Sequence, residues 1–135
     1  RVDQLMADQL KGNNIQWETT IDPDTLEITA DPAMIEQVLI NLIVNAIQAV
    51  ANLEKREIRI TGLMDSRGRS VIQVSDNGPG IDSDVQEKIF IPFFTTKKGG
   101  SGIGLSLSRQ IMRLHRGSIS VQSQPNQETT FTLRF

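Results

Sequence analysis

Apolar and polar residues alternate along this chain with two different periods, and the switches between them mark its elements. Residues 2–10 form a short amphipathic stretch closed by Gly12 and Asn13, either a helix or the end of one entering from upstream. Residues 15–21 (IQWETTI) alternate as a strand does. Asp22-Pro23-Asp24 reads as a turn, and residues 26–30 as a second short strand. Asp31 followed by Pro32 has the form of an N-cap with proline at the first helical position, so a long helix is expected over 32–53. Two strands follow over 57–63 and 70–75, joined by a turn near Ser66-Arg67-Gly68. Residues 76–81 (DNGPGI) form a loop by composition. A short helix is expected over 83–89, a Thr-, Lys- and Gly-rich mobile stretch over 92–104, and an amphipathic helix over 103–114 that ends before Gly117. Two last strands cover 118–123 and 129–135. Mixed strands and helices, with hairpin-like pairs in the middle and at the end, predict an α+β fold: a mixed sheet packed against helices rather than strict βαβ alternation.

The long helix carries an unusual polar stripe. At about 100° per residue, Gln37, Asn41, Asn45 and Gln48 fall within an arc of roughly 80°, and most of the remaining surface is Ile, Leu, Val and Ala. The stripe is either a solvent face or the wall of a polar cavity. Solvent faces usually carry Lys and Glu, whereas these are neutral amides, and Asn is a poor helix former. In a cavity, an amide oxygen there suits a hard cation such as Mg2+.

Composition narrows the possibilities. The chain has 135 residues, enough for one domain, and 14 Lys+Arg against 16 Asp+Glu give a net charge of −2. A basic nucleic-acid footprint is therefore not expected. The absence of Cys excludes disulfides, thiolate zinc sites and a Cys nucleophile, and a single His, His115, argues against a His-rich metal centre or a His-based triad. No uninterrupted apolar run reaches the roughly 18–20 residues of a membrane span, and the N-terminus lacks the form of a signal peptide. The first residue is Arg1, so a piece of a longer, cytoplasmic chain is expected.

Two glycine-rich segments carry candidate chemistry. Asp76-Asn77-Gly78-Pro79-Gly80 follows an apolar strand; it is either a tight turn capped by Asp or a loop whose glycines let the backbone approach a ligand while Asp76 accepts from an exocyclic amine. Gly99-Gly100-Ser101-Gly102-Ile103-Gly104-Leu105 opens a helix, with Lys97 and Lys98 just upstream. It is either a hinge or a phosphate site built on free N–H groups and the helix dipole. The spacing matches neither a dinucleotide fingerprint nor a P-loop.

Together these segments resemble the catalytic, ATP-binding domain of sensor histidine kinases, over nearly the whole chain. Residues 37–46 (QVLINLIVNA) look like the N box, 76–81 the G1 box, 90–97 (FIPFFTTK) the F box and 100–105 (GSGIGL) the G2 box. The Phe-Phe-Thr-Thr-Lys form is similar to the nitrogen-regulation and dicarboxylate-sensor subgroup. The resemblance implies a two-layer α/β sandwich of Bergerat type, with a mixed, mostly antiparallel sheet on about three helices and a mobile ATP lid over 82–102.

By the same resemblance, Asn45 would coordinate Mg2+ on the phosphates of ATP, with Asn41 in support. Asp76 would accept from the adenine amino group, with Gly78, Gly80 and Ile81 closing on the nucleotide. Thr95, Thr96, Lys97 and Lys98 would act from the lid, and Gly100, Ser101, Gly102, Ile103, Gly104 and Leu105 would meet the phosphates. Thr130 would help hold adenine through water, and Phe90, Phe93 and Phe94 would anchor the lid and face a partner domain. Asn41, Asn45 and Lys97 would be the catalytic set. The implied partners are an upstream dimerisation domain bearing the phosphoacceptor histidine and a response regulator receiver domain, with no nucleic acid and no direct membrane contact.

The chain departs from the pattern in instructive places. ATP-hydrolysing relatives carry Glu where Asn41 stands, and an amide cannot take a proton from water. Gln48 replaces a common cation, which shifts weight to Lys97, Lys98 or Arg109. Glu128 stands where Gly is frequent. His115 lies at a helix C-terminus, where His is common for structural reasons. Three readings follow: a histidine kinase domain, a hydrolase of the wider superfamily, or a nucleotide-gated interaction module.

Overall fold

The computed structural model describes residues 2–22, 28, 30–94, 103–124 and 127–135. In chain order the elements are α1 (Val2–Gly12), β1 (Ile15–Asp22), α2 (Pro32–Val50), β2 (Arg56–Met64), β3 (Ser70–Asp76), α3 (Ser83–Gln86), α4 (Gly104–Leu114), β4 (Ser118–Gln124) and β5 (Glu128–Arg134). The five strands form one sheet in the order β1-β2-β3-β5-β4. β1 and β2 are parallel because α2 is the crossover between them; the remaining pairs are antiparallel. The expected mixed, mostly antiparallel sheet with helices against it is thus present. The expected strand over 26–30 falls largely outside the described residues, and Ile28 and Ala30 are not in a strand.

α2 is the spine of the core. Asp31 caps it, its Oδ1 accepting from the N–H groups of Ala33 (3.0 Å) and Met34 (3.2 Å), with Pro32 next in line. Ile35, Val38, Leu42, Ile43, Ala46, Ile47 and Val50 are buried with Ile15, Ile58, Val74, Phe131 and Leu133 of the sheet. Burying each large aliphatic side chain contributes about 1.5–3 kcal/mol. α2 is long and apolar enough by composition to cross a membrane, but its apolar sides pack on the sheet and on α1 and α4.

The helix stops at Val50, short of the expected 53. Ala51 and Leu53 donate to the carbonyls three residues back, tightening the last turn, and the Arg56 guanidinium takes the Leu53 carbonyl (2.9 Å) and that of Asn13 (2.7 Å). α3 is one turn rather than two. Past Gln86 the backbone continues in three-residue turns through Ile91 and Phe94, which bury Ile89. At the β2–β3 hairpin, Asp65 Oδ1 accepts from the N–H groups of Arg69 and Arg67, both at 2.9 Å, and Arg134 lies 3.3 Å from Oδ2. The Arg69 N–H, then that of Arg67 and the Arg134 charge, hold this carboxyl below the usual aspartate range. Its support for the hairpin is present above the ordinary aspartate pKa and fades as pH falls through the lowered value.

α4 ends in a Schellman turn. The Gly117 N–H returns to the Met112 carbonyl (2.8 Å) and the Arg116 N–H to that of Arg113 (3.0 Å). Arg116 occupies the left-handed position at φ 59°, where glycine is the usual residue. Arg116→Gly is expected to raise stability by about 0.5–1 kcal/mol, read as a higher midpoint in urea. His115, one residue earlier, ties two helices together. Its Nδ1 donates to the Ile111 carbonyl (2.8 Å), which leaves Nε2 to accept the Asp31 N–H at 3.0 Å. The lone histidine therefore locks the end of α4 to the start of α2, in keeping with its structural reading.

Candidate functional site

The face of α2 bearing Asn41, Asn45 and Ala49 advances in steps of four residues, about 6 Å each along the axis and about 40° around it. Each end of this row meets one of the glycine-rich segments. At the first end, Asn41 Nδ2 donates to the Gly104 carbonyl and to Ser108 Oγ, both at 3.4 Å, while its Oδ1 accepts from Gln37 (3.2 Å). The Asn41 amide therefore fixes the first turn of α4 to α2. Ser108, fully buried, reinforces this by donating to the same Gly104 carbonyl at 2.8 Å.

At the other end, Gly78 packs on α2. A Cβ added there would lie 2.9 Å from the Ala49 carbonyl oxygen and 2.8 Å from Asp76 Oδ1, so only glycine fits. The Gly78 N–H binds Asp76 Oδ1 at 2.9 Å, and this fixes the carboxylate of a residue that is only 6% exposed. Gly80, at φ 77°, turns the loop as glycine alone does readily. Asn77 staples the loop to the start of β2 through the Glu57 N–H and the Lys55 carbonyl, each at 2.9 Å. Asn45 sits midway in the row, half-buried like Asn41, whereas Gln37 and Gln48 are exposed. The stripe is thus exposed along the edge that carries Gln37 and Gln48 and half-buried along the edge that carries Asn41 and Asn45.

α4 begins differently from α2. Ile103, at its N-cap position, supplies no side-chain cap and is 46% exposed, while Leu105 turns into the core. A Cβ on Gly104 would meet only the Asn41 side chain, at 3.8 Å or more, which is ordinary contact. Packing among the described residues therefore does not require glycine at 104, unlike at 78. Gly104→Ala is expected to leave the melting temperature unchanged while weakening nucleotide binding, a contrast that calorimetry and thermal unfolding read separately.

The strand register separates Thr130 from Asp76. Asp76 pairs with Thr129, and Ser75 with Thr130. Neighbouring strand residues face opposite sides, so Thr130 lies on the sheet face away from Asp76, where its Oγ1 meets Ser75 Oγ at 2.9 Å. Thr129, 4% exposed, shares the side of Asp76. The apolar alternation of Phe131 and Leu133, carried two residues back, lands on Thr129 and could have revealed this. Thr129 Oγ1 contacts Ser123 Oγ at 3.0 Å, and Ser123 also accepts the Ile81 N–H at 2.7 Å. Gln86 clamps the same loop from α3, donating to the carbonyls of Ile81 and Ser123. Neither Ser123 nor Gln86 carries a sequence signal.

Of the aromatic trio, Phe90 packs edge-on against Phe131 (6.4 Å between centroids), with the Arg109 guanidinium 5.9 Å over its ring. Phe94 packs against the core, and Phe93 is exposed at φ 69°. Arg109 is thus engaged with Phe90. Thr95, Thr96, Lys97, Lys98, Gly100, Ser101 and Gly102 lie outside the described residues, as does the lid beyond residue 94.

Comparison with known proteins agrees with this geometry. Residues 30–135 match the family of histidine kinase-, DNA gyrase B- and HSP90-like ATPases. The chain is 42% identical over 119 residues to the signal transduction histidine-protein kinase AtoS of Escherichia coli (strain K12), covering 88% of this chain and 19% of that protein. It is 40% identical over 129 residues to the C4-dicarboxylate transport sensor protein DctB of Rhizobium meliloti (strain 1021), covering 96% of this chain and 20% of that one. The nucleotide-free catalytic domain of histidine kinase ThkA superposes with a TM-score of 0.87 at 36% identity, over 99% of this chain and 86% of that domain. ThkA in complex with response regulator protein TrrA matches with a TM-score of 0.82 at 33% identity, over 99% of this chain and 37% of that one. The chain belongs to the histidine kinase-, DNA gyrase B- and HSP90-like ATPase family, as a histidine kinase catalytic domain. It spans about a fifth of the length of those two curated relatives.

Proposed function

We propose that this domain holds ATP with Mg2+ along the Asn41–Asn45–Ala49 face of α2 and delivers the γ-phosphate to a histidine on a separate dimerisation domain, from which a response regulator aspartate receives it. The observation that carries this reading is the two-ended row on α2. The Asp76 carboxylate fixed by Gly78 stands at one end, which would take the purine, the start of α4 at Gly104 stands at the other, which would take the phosphates, and Asn45 lies between them.

Asp76 would accept from the adenine amine, with Thr129 rather than Thr130 beside it. The N-terminus of α4, lacking a side-chain cap, would offer N–H groups and its dipole to phosphate oxygens. Lys97 and Lys98 would add charge from the lid. The residues fit Mg2+: an amide oxygen from Asn45 is a hard donor at the boundary between the two ends. When bound, the ion neutralises phosphate charge, which phosphoryl transfer chiefly requires along with positioning.

Asn41 supports the site by fixing Gly104, and as an amide it cannot serve as a base for water. The domain therefore favours transfer over hydrolysis. His115, engaged at both ring nitrogens, is a poor acceptor, in keeping with an acceptor histidine on a separate helical domain. The likeness to the C4-dicarboxylate transport sensor protein DctB favours a place near the dicarboxylate sensors, and the domain would act in the cytoplasm.

The test is to mix this chain with γ-labelled ATP and a separately supplied dimerisation domain from a close relative. Label on the acceptor histidine, with little phosphate release in its absence, is expected. Steady-state phosphate release without an acceptor would favour the hydrolase reading instead.

A further inference from the structure

Ser123 stands at a junction that the proposed reaction does not by itself require. Its hydroxyl accepts the Ile81 N–H at 2.7 Å, lies 2.9 Å from the Glu128 carbonyl oxygen and 3.0 Å from Thr129 Oγ1. A serine hydroxyl has one proton and two acceptor lone pairs. The carbonyl of Glu128 can only accept, so it takes the Ser123 proton. The Ile81 N–H fills one lone pair, and the remaining contact is favourable only if Thr129 donates to Ser123. Thr129 then has no proton left for anything else, and its lone pairs are what it offers on the side of the sheet it shares with Asp76.

We infer that Ser123 is a positioning residue that draws the Thr129 hydroxyl proton away from the purine pocket, so that Thr129 and Asp76 together present acceptors and select a 6-amino over a 6-oxo purine. The inference rests on the adenine reading of Asp76 given above. A 6-amino group brings two donors to this pair. A 6-oxo group brings an acceptor, which the carboxylate repels and which Thr129 could meet, directly or through water, only by turning its proton back. Ser123→Ala releases that proton, because it removes the acceptor that holds it. The same change also loosens the Ile81 loop, and that loss falls on both purines alike. The ratio of affinities, not either affinity alone, is therefore the diagnostic quantity.

Calorimetric titration with ADP and with IDP, on wild type, Ser123→Ala, Thr129→Val, the double variant and Ser123→Thr, tests this. Wild type is expected to prefer ADP. Ser123→Ala and Thr129→Val are each expected to lower the ADP:IDP ratio by about fivefold to tenfold, the worth of one hydrogen bond. The double variant should lower it no further than either single change, since both act through one proton. Ser123→Thr, which keeps the hydroxyl, should restore the wild-type ratio. A Ser123→Ala protein that binds ADP with the wild-type ratio overturns the proposal, and so does a double variant whose loss is the sum of the two. Should Ser123→Ala fail to fold, Thr129→Val carries the decision: an unchanged ratio there overturns the proposal equally. A wild type that holds ADP and IDP alike overturns the adenine reading of Asp76 itself.

Discussion

Asp76→Asn is expected to weaken ADP binding by about 10- to 100-fold, because a hydrogen bond to a charged group is worth about 1.5–3 kcal/mol. The substitution is nearly isosteric. Its Oδ1 still accepts the Gly78 N–H, so the loop keeps its shape and the Gly78–Ala49 packing survives. What changes is the polarity of the side chain's other half, which becomes an NH2 donor facing the donors of the adenine amine. At 6% exposure, the site gives that mismatch little access to compensating water. Calorimetry should show the loss with and without Mg2+, while the thermal unfolding curve stays near that of wild type.

Gly117→Ala is expected to be the most damaging small substitution for stability. An added Cβ would lie 2.4 Å from the Arg134 carbonyl oxygen and 3.0 Å from Met112 Cε. The methionine end can yield; the carbonyl cannot easily do so, because Arg134 is paired to Val71 on one side and Ser118 on the other. Relief requires moving the end of α4 away from the sheet, at the cost of the Gly117–Met112 bond and the His115 tie to Asp31. Overpacking of this kind costs about 1–3 kcal/mol. Urea denaturation should report a lower midpoint with an unchanged slope, and binding below the transition should stay close to wild type.

Much of this was legible because the relevant signals are local. The Asp31-Pro32 start of α2 follows from capping chemistry alone; β1, β4 and β5 were visible in period-two alternation and β3 as a short apolar run. The glycines at 78 and 80 announced a backbone that must come close to something, and 78 proves to need that closeness for packing on Ala49. What was not legible is what non-local partners decide. α2 stops early because Arg56, six residues past its end, takes the Leu53 carbonyl. Thr129 and Thr130 are equivalent in sequence until a pairing register assigns each to a face of the sheet. The contacts of Asn41 to Gly104 and Ser108 join residues 63 and 67 positions away in the chain, which no helical wheel shows. Ser123 and Gln86 show nothing unusual until the Ile81 loop folds onto them.

The central claim is that Asn45 and Asp76 serve one nucleotide–magnesium pocket. Titrating ADP into wild type, Asp76→Asn and Asn45→Ala, each with and without Mg2+, tests it most directly. The account predicts that Asn45→Ala abolishes the enhancement by Mg2+ while sparing metal-free binding, and that Asp76→Asn weakens both. Wild-type affinities in both variants, with the Mg2+ effect intact, would contradict it.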